Sequence, residues 1–382
     1  MNTPYSFKIY NSTAELPKNW NDLAVSTIFL SKKYLEVLEK SSPGNMACHF
    51  IGIFENDILV GTALSQFLDL NKLESFGERD KCIKTAIRNF VFRNFGSHVL
   101  VIGNNMLTGQ NSYSLSDTID KKRALQALNS ATTELKKMFK SKGKKIHITT
   151  YKDFNKEEIN HLAIPEFEND YQFSTQPNMV FTINENWKSE QDYIDTLSKK
   201  YRDQYKRARK KAEIIEKRKM HLEDIIALED TIYDLYFHVA KNAPFNTFFL
   251  PKNHFRTFKE IFKDKFLFYG YFIDKKLIGF NTLIKNGEVM DTYFLGYDES
   301  IQREKMLYLN MLYDMIAYSI NKGFKKIIFA RTALEIKSSV GAKPVDMYGF
   351  IAHSNPIVNS YMPKIFKYLE PETIWQERNP FK

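Results

Sequence analysis

Four side chains able to do polar chemistry fall within seven residues of one another in the stretch 330–344, ARTALEIKSSVGAKP. Arg331 brings a guanidinium, Thr332 a hydroxyl, Glu335 a carboxylate and Lys337 an amine, with Gly341 and Pro344 behind them. The cluster follows residues 325–329, KKIIF, which read as a short buried strand. Ligands of α/β sheets sit beside the carboxyl ends of strands, so the placement suits anion binding and proton transfer. A plain surface turn would hold fewer such groups and more Asn, Asp or Ser. The competing reading is a solvated loop, or a Glu335–Arg331 ion pair tying the loop to the sheet.

The second cluster is cationic. Residues 195–220 hold 11 Lys or Arg against 4 Asp or Glu, a local excess of +7 within a net charge of +10. Leu197, Tyr201, Tyr205, Ala208, Ala212 and Ile215 recur at steps of 4, 4, 3, 4 and 3, which defines one apolar helical face. Lys199, Arg202, Lys206, Arg209 and Lys210 fall mostly on the other faces. The helix is docked along one side and basic along the rest. It is read as a solvated charged face, a surface for phosphates or an acidic partner, or a contact for RNA or an anionic membrane.

These clusters need elements to position them, and the pattern repeats. Residues 50–64 (FIGIFENDILVGTAL) and 269–283 (YGYFIDKKLIGFNTL) each read as two strands about a tight polar turn. Both carry glycines nine apart, Gly52 and Gly61, then Gly270 and Gly279. A helical pattern, a glycine and a strand follow in residues 128–149 and again in 309–329. Glycine after the last helical turn suits a left-handed cap. Hairpin, helix and strand in one order twice predict two copies of one α/β fold. The first copy inserts residues 71–117, with a helix expected near 80–93 and a strand over 97–103. The second carries a long helical region over 189–266 ahead of its hairpin.

At 382 residues, 43% hydrophobic and 26% charged, the chain is a folded two-domain protein. No apolar run approaches a membrane span, and the first twenty residues lack the basic and apolar regions of a secretory signal. The two cysteines, Cys48 and Cys82, point to a reduced cytoplasmic chain. No phosphate-cradling glycine loop, nucleophile elbow, metal-ligand spacing or RNA-recognition motif is present. His221, His238 and His254 share no helical face and read as surface or partly buried histidines.

The duplicated order, the segment 197–202 (LSKKYR) and the closing ARTALEIKSSVGAKP together resemble tandem acyltransferases of the GNAT superfamily. They look like its FemAB-like branch, which includes bacterial peptidoglycan biosynthesis/recognition proteins. The match to the branch pattern Arg-Thr-x-x-Glu-x-Lys-x-x-x-Gly-Ala runs through Arg331, Thr332, Glu335, Lys337, Gly341 and Ala342. Residues 99–109, VLVIGNNMLTG, resemble a strand and loop of the same family. The resemblance implies an α/β (α+β) fold of two tandem GNAT-like domains, each a mixed, mainly antiparallel sheet flanked by helices. The expected domains are 1–172 and 173–382, the second catalytic.

It further implies N-acyl transfer from a thioester, acyl-CoA or acyl carrier protein, to an amino group of a lipid precursor, sugar or small metabolite. No metal is expected; an acidic carrier protein and peripheral contact with an anionic membrane are the expected partners, with tRNA unfavoured. Splayed strands at residues 290–296 (MDTYFLG) would offer backbone N–H groups to the carbonyl. Asp291 or Glu335 would take the amine proton, and Tyr293 or Tyr308 would donate a proton or line the substrate. Arg331, Thr332 and Lys337 would hold an anionic group, with Lys199, Arg202 and Lys206 assisting donor binding. Residues 302–307, QREKML, lack the glycines with which acetyl-CoA-using relatives bind pyrophosphate, so acetyl-CoA in the usual pose is not expected. Alternatives are an aminoacyl-tRNA-dependent peptidoglycan ligase, for which the basic helix is short, and a non-catalytic anion-binding module on a degenerate fold.

Overall fold

The structure, a computed structural model, describes residues 5–25, 27–72, 96–243, 246–369 and 375–382. The helix expected over 80–93 and Cys82 lie outside the described residues. The chain forms two compact units. One comprises Met1–Thr175, Thr247–Pro251 and Asp346–Glu372; the other comprises Gln176–Asn246, Lys252–Val345 and Thr373–Lys382.

The first unit opens with β1 (Tyr5–Tyr10), α1 (Trp20–Leu23), α2 (Lys32–Ser41), β2 (Met46–Glu55) and β3 (Ile58–Asp69). β4 (His98–Ile102), β5 (Tyr113–Leu115), α3 (Lys121–Ser141), β6 (Ile148–Phe154) and α4 (Lys156–His161) follow. β7 (Tyr171–Thr182) leads into the second unit, with α5 (Glu190–Thr196), α6 (Lys199–Lys211), β8 (Glu216–Lys219), α7 (Leu222–Ala227), α8 (Glu229–Lys241) and α9 (His254–Phe262). Then come β9 (Phe266–Ile273), β10 (Lys276–Asn286), β11 (Val289–Tyr297), α10 (Glu299–Lys305), α11 (Leu307–Asn321), β12 (Lys326–Ala330) and α12 (Leu334–Ser339). β13 (Lys343–His353), α13 (Pro356–Ser360) and α14 (Met362–Leu369) close the run, and β13 pairs back into the first unit.

Both units build the same frame. The first orders its strands β1-β2-β3-β4-β6-β13 and the second β8-β9-β10-β11-β12-β7. Each runs antiparallel through its first four strands, makes one parallel pair (β4–β6; β11–β12), and ends on an antiparallel strand. The sixth strand of the first unit, β13, follows β12 of the second unit in sequence.

Local chemistry explains the shared hairpin. The turns Asn56-Asp57 and Asp274-Lys275 hold both residues at positive φ (48° and 63°; 47° and 66°), the two-residue geometry whose twist matches that of the flanking strands. In both hairpins one residue bulges just before the second glycine, Val60 before Gly61 and Ile278 before Gly279. Side chains crowd the glycines: a Cβ on Gly61 would come 2.5 Å from Leu115, and one on Gly270 2.6 Å from Met220.

One long helix covers each sheet. Asp120 caps α3, whose Ala124, Leu128, Ala131, Leu135 and Phe139 pack on Ile51, Phe67, Leu100 and Ile102. α11 does the same in the second unit with Leu307, Met311, Leu312, Met315 and Ile320 against Leu283, Met290 and Ile327. Burying each such side chain contributes about 1.5–3 kcal/mol. Gly143 and Gly323, at φ 75° and 72°, follow the two helices and turn the chain into β6 and β12.

Candidate functional site

In the second unit the two parallel strands part. The β11–β12 ladder pairs Val289, Met290 and Asp291 with Lys326, Ile327 and Ile328, and goes no further. The Thr292 hydroxyl donates to the Ile328 carbonyl (2.9 Å), and beyond it β11 continues to Tyr297 laddered only to β10 among the described residues. A bulge sits just there, Tyr293 and Phe294 together opposing Thr282, whose hydroxyl donates to the Phe294 carbonyl (2.6 Å). The bulge thus falls on β11 just past the end of its parallel pair with β12.

Asp291 marks the base of the fork. Its side chain is buried and accepts from the Asn286 amide (3.1 Å). Burial pushes its carboxyl up to about 7, and the Asn286 hydrogen bond pulls the other way. Two residues on, the Tyr293 hydroxyl meets Nε2 of His254 at 3.0 Å, their rings stacked 5.8 Å apart. His254 opens α9, is fully buried, and packs with Phe258, which also touches Tyr293. Sequence reading took His254 for an ordinary histidine. Its partner lies 39 residues away, and no local pattern signals that pairing.

The turn after β12 is strained. Ala330, Thr332 and Ala333 have φ of 59°, 67° and 47°, a run of left-handed residues without glycine. Lys337 holds it: the buried ammonium donates to the carbonyls of Phe329 (2.5 Å), Ala330 (3.2 Å) and Arg331 (2.7 Å). Burial pushes the amine down to about 7, while three carbonyl acceptors favour the ammonium. The Lys337 ammonium, expected to bind an anion, thus donates to the backbone. Glu335, expected as a base, is exposed and clamped by Arg378 through Nε (3.0 Å) and Nη2. The anticipated Glu335–Arg331 pair gives way to Arg378; Arg331 donates through Nε to the Gln176 carbonyl (3.0 Å), and Thr332 is exposed.

The remaining candidates do not converge on the fork. Tyr308 is partly buried near Tyr297, with ring centroids 6.4 Å apart, and burial pushes its phenol up. The basic helix breaks after Leu197, so α6 starts at Lys199, with Tyr201 and Ala208 buried as the periodicity predicts. Arg202 donates to the Leu197 carbonyl (3.1 Å), while Lys199 and Lys206 are exposed. Arg209 faces inward to Glu190 and Asp314, 2.7 Å from each. Residues 302–307 form the end of α10 and a left-handed junction at Met306 (φ 50°), so a helical turn stands where a glycine loop would cradle phosphate.

Elsewhere in this unit a depression of about 390 Å³ lies along edge strand β8, lined by Arg218, Lys219, Asp224 and Phe272 among others. It shares no residue with the fork. Among the described residues no group of three or more His, Cys, Asp or Glu could hold a metal ion, and no helix is long and apolar enough to cross a membrane.

The class this frame defines is a tandem GNAT-like fold, a mixed α/β architecture of mainly antiparallel sheets flanked by helices. Among solved structures the chain is similar to FemX, with TM-score 0.54 and 11% identity over 95% of this chain and 100% of that one. It is also similar to a tandem GNAT protein from the clavulanic acid biosynthesis pathway, with TM-score 0.52 and 9% identity over 92% and 99%. A conserved protein from Bacteroides thetaiotaomicron gives TM-score 0.50 and 11% identity over 91% and 99%. At such identities the likeness establishes the fold alone. No family model matches the sequence, and no curated protein matches it.

Proposed function

We propose that the second unit transfers an acyl group from a thioester to an amine at the β11–β12 fork. One observation carries the reading: a buried carboxyl, Asp291, at the last position of the parallel ladder, where β11 and β12 part. A thioester carbonyl laid along that arm would accept from backbone N–H groups of β11, which would stabilise the developing oxyanion. The amine nitrogen attacks the carbonyl carbon, forming the C–N bond and passing its proton to Asp291 directly or across one water. The C–S bond then breaks. The leaving thiolate takes the proton of the Tyr293 hydroxyl, which His254 holds at 3.0 Å. A carboxyl near pH 7 is suited to this work, because its basic form is populated while it remains strong enough to accept a proton.

Acyl-CoA or acyl carrier protein would supply the thioester, and a lipid precursor, sugar or small metabolite the amine. The helical turn at residues 299–305 favours donor recognition without a glycine-loop diphosphate cradle. Thiol release from acyl-CoAs and acyl carrier proteins of increasing chain length, each offered with a panel of primary amines, tests the reading. Release that requires both protein and amine is expected. A folded protein that releases thiol from none of them contradicts the proposal.

A further inference from the structure

We propose that the solvent face of α6 is a docking surface for an anionic lipid bilayer. Lys199, Lys200, Lys206, Arg207, Lys210 and Lys211 are all exposed along this helix, with Asp203 as the one acid among them. None of the six forms an ion pair among the described residues. Lys200 sits 5.3 Å over the Tyr201 ring, and Lys211 reaches Glu304 electrostatically. The inward face contrasts with this: Arg209, on the same helix, is neutralised by Glu190 and Asp314.

Helix stability does not explain the arrangement. Lys210 and Lys211, in the last turn, complement the helix dipole, but Lys199 and Lys200 stand in the first turn, where cations oppose it. Ser198 at the N-cap makes no side-chain capping bond, and the first turn has no acid. Cations placed against the dipole, on a face that forms no ion pair among the described residues, point to an external anionic partner.

The composition of the face selects that partner. Five of the six cations are lysines, point charges suited to a diffuse anionic surface and less to bidentate reading of single phosphates. Just past the helix Ile214 is 60% exposed, an aliphatic side chain that favours the headgroup boundary and does nothing for nucleic acid. No aromatic side chain is exposed along α6 for bases to stack on.

Co-sedimentation of the full chain with phosphatidylcholine vesicles, with and without phosphatidylglycerol, tests this independently of acyl transfer. Binding to the anionic vesicles only, weakening as salt rises, is expected. The triple variant Arg207→Gln, Lys210→Gln, Lys211→Gln should lower partitioning on the order of a hundredfold, about fivefold per cation. Ile214→Ser should lower it several-fold with the salt dependence unchanged, and both variants should melt like the parent. No binding to anionic vesicles, or equal binding to neutral ones, overturns the proposal. So does binding of tRNA, lost in the triple variant, without vesicle binding. Thiol release would be untouched by any of these results.

Discussion

The two units share one frame, and the fork between the parallel strands is where their difference bears on chemistry. In the first unit the β4–β6 ladder runs through four pairs, Val99–Ile148 to Ile102–Tyr151, and β4 ends with it. The Ser112 hydroxyl then bridges the carbonyls of Ile102 (3.1 Å) and Lys152 (3.3 Å), one from each strand. The Lys152 ammonium reaches the Asn104 and Leu107 carbonyls, 3.1 Å each, and pairs with Asp153 at 2.6 Å. Gly103, at φ 132°, lets the loop pass so close that a Cβ there would lie 2.7 Å from the Ser112 oxygen. That fork is stitched shut by the loop that follows β4. In the second unit β11 runs on past its ladder and no loop intervenes before α10. The frame is built twice, and the two parallel ladders end differently: one under a loop, the other with β11 running on beyond it.

The contrast can be broken at either fork. Asp291→Asn keeps the shape and removes the base, so turnover should fall by about 10²–10⁴ while the melting temperature holds or rises. The parent's kcat/KM should climb as pH passes about 7, and that limb should vanish in the variant. Lys152→Met in the first unit should do the reverse. Removing one partner of a buried ion pair costs about 3–5 kcal/mol of stability, read by denaturant unfolding, with turnover of the folded fraction unchanged. Loss of turnover in the Lys152 variant, with none in the Asp291 variant, would assign the chemistry to the wrong fork.

A smaller effect separates the units by pH. In the first unit burial pushes His49 and His147 down to about 4 from 6.5, so the unfolded chain binds more protons between those values. Their contribution is present above pH 6.5 and is lost as pH falls toward 4. In the second unit Asp291, raised from 3.8 to about 7, works in the opposite sense: its contribution is full below 3.8 and is lost as pH rises through 7. Trp20, buried in the first unit, can report that unit alone once Trp187 and Trp375 are changed to Phe. Its unfolding midpoint should drop on acidification from pH 6.5 to 4; a flat response would remove the two histidines from the account.

Much of this frame was legible in sequence. Paired glycines nine apart and the helix–glycine–strand order are local signals, and both hairpins and both capping glycines follow from them. Asp291 was named through the resemblance, as one of two carboxylates for the amine proton. Other features had no local signature. β8, EKRK, is exposed at all four positions, so it lacks the apolar alternation that marks a strand. The pairing of β13 with β6 depends on a strand far away in sequence, which composition does not encode. The partners of Glu335 and Lys337 were not legible, because a cluster of functional groups also serves as structure. A strained turn needs its carbonyls satisfied, and Arg378, 43 residues downstream, takes the carboxylate.

The claim that the second fork receives the acyl donor is tested most directly by photo-crosslinking with diazirine-bearing acyl-CoAs, followed by peptide mapping. Labels should concentrate on residues 293–297 of β11 and 330–333 after β12, and be competed away by unmodified acyl-CoA. Competable labelling confined to residues 103–112 of the first unit would contradict the account.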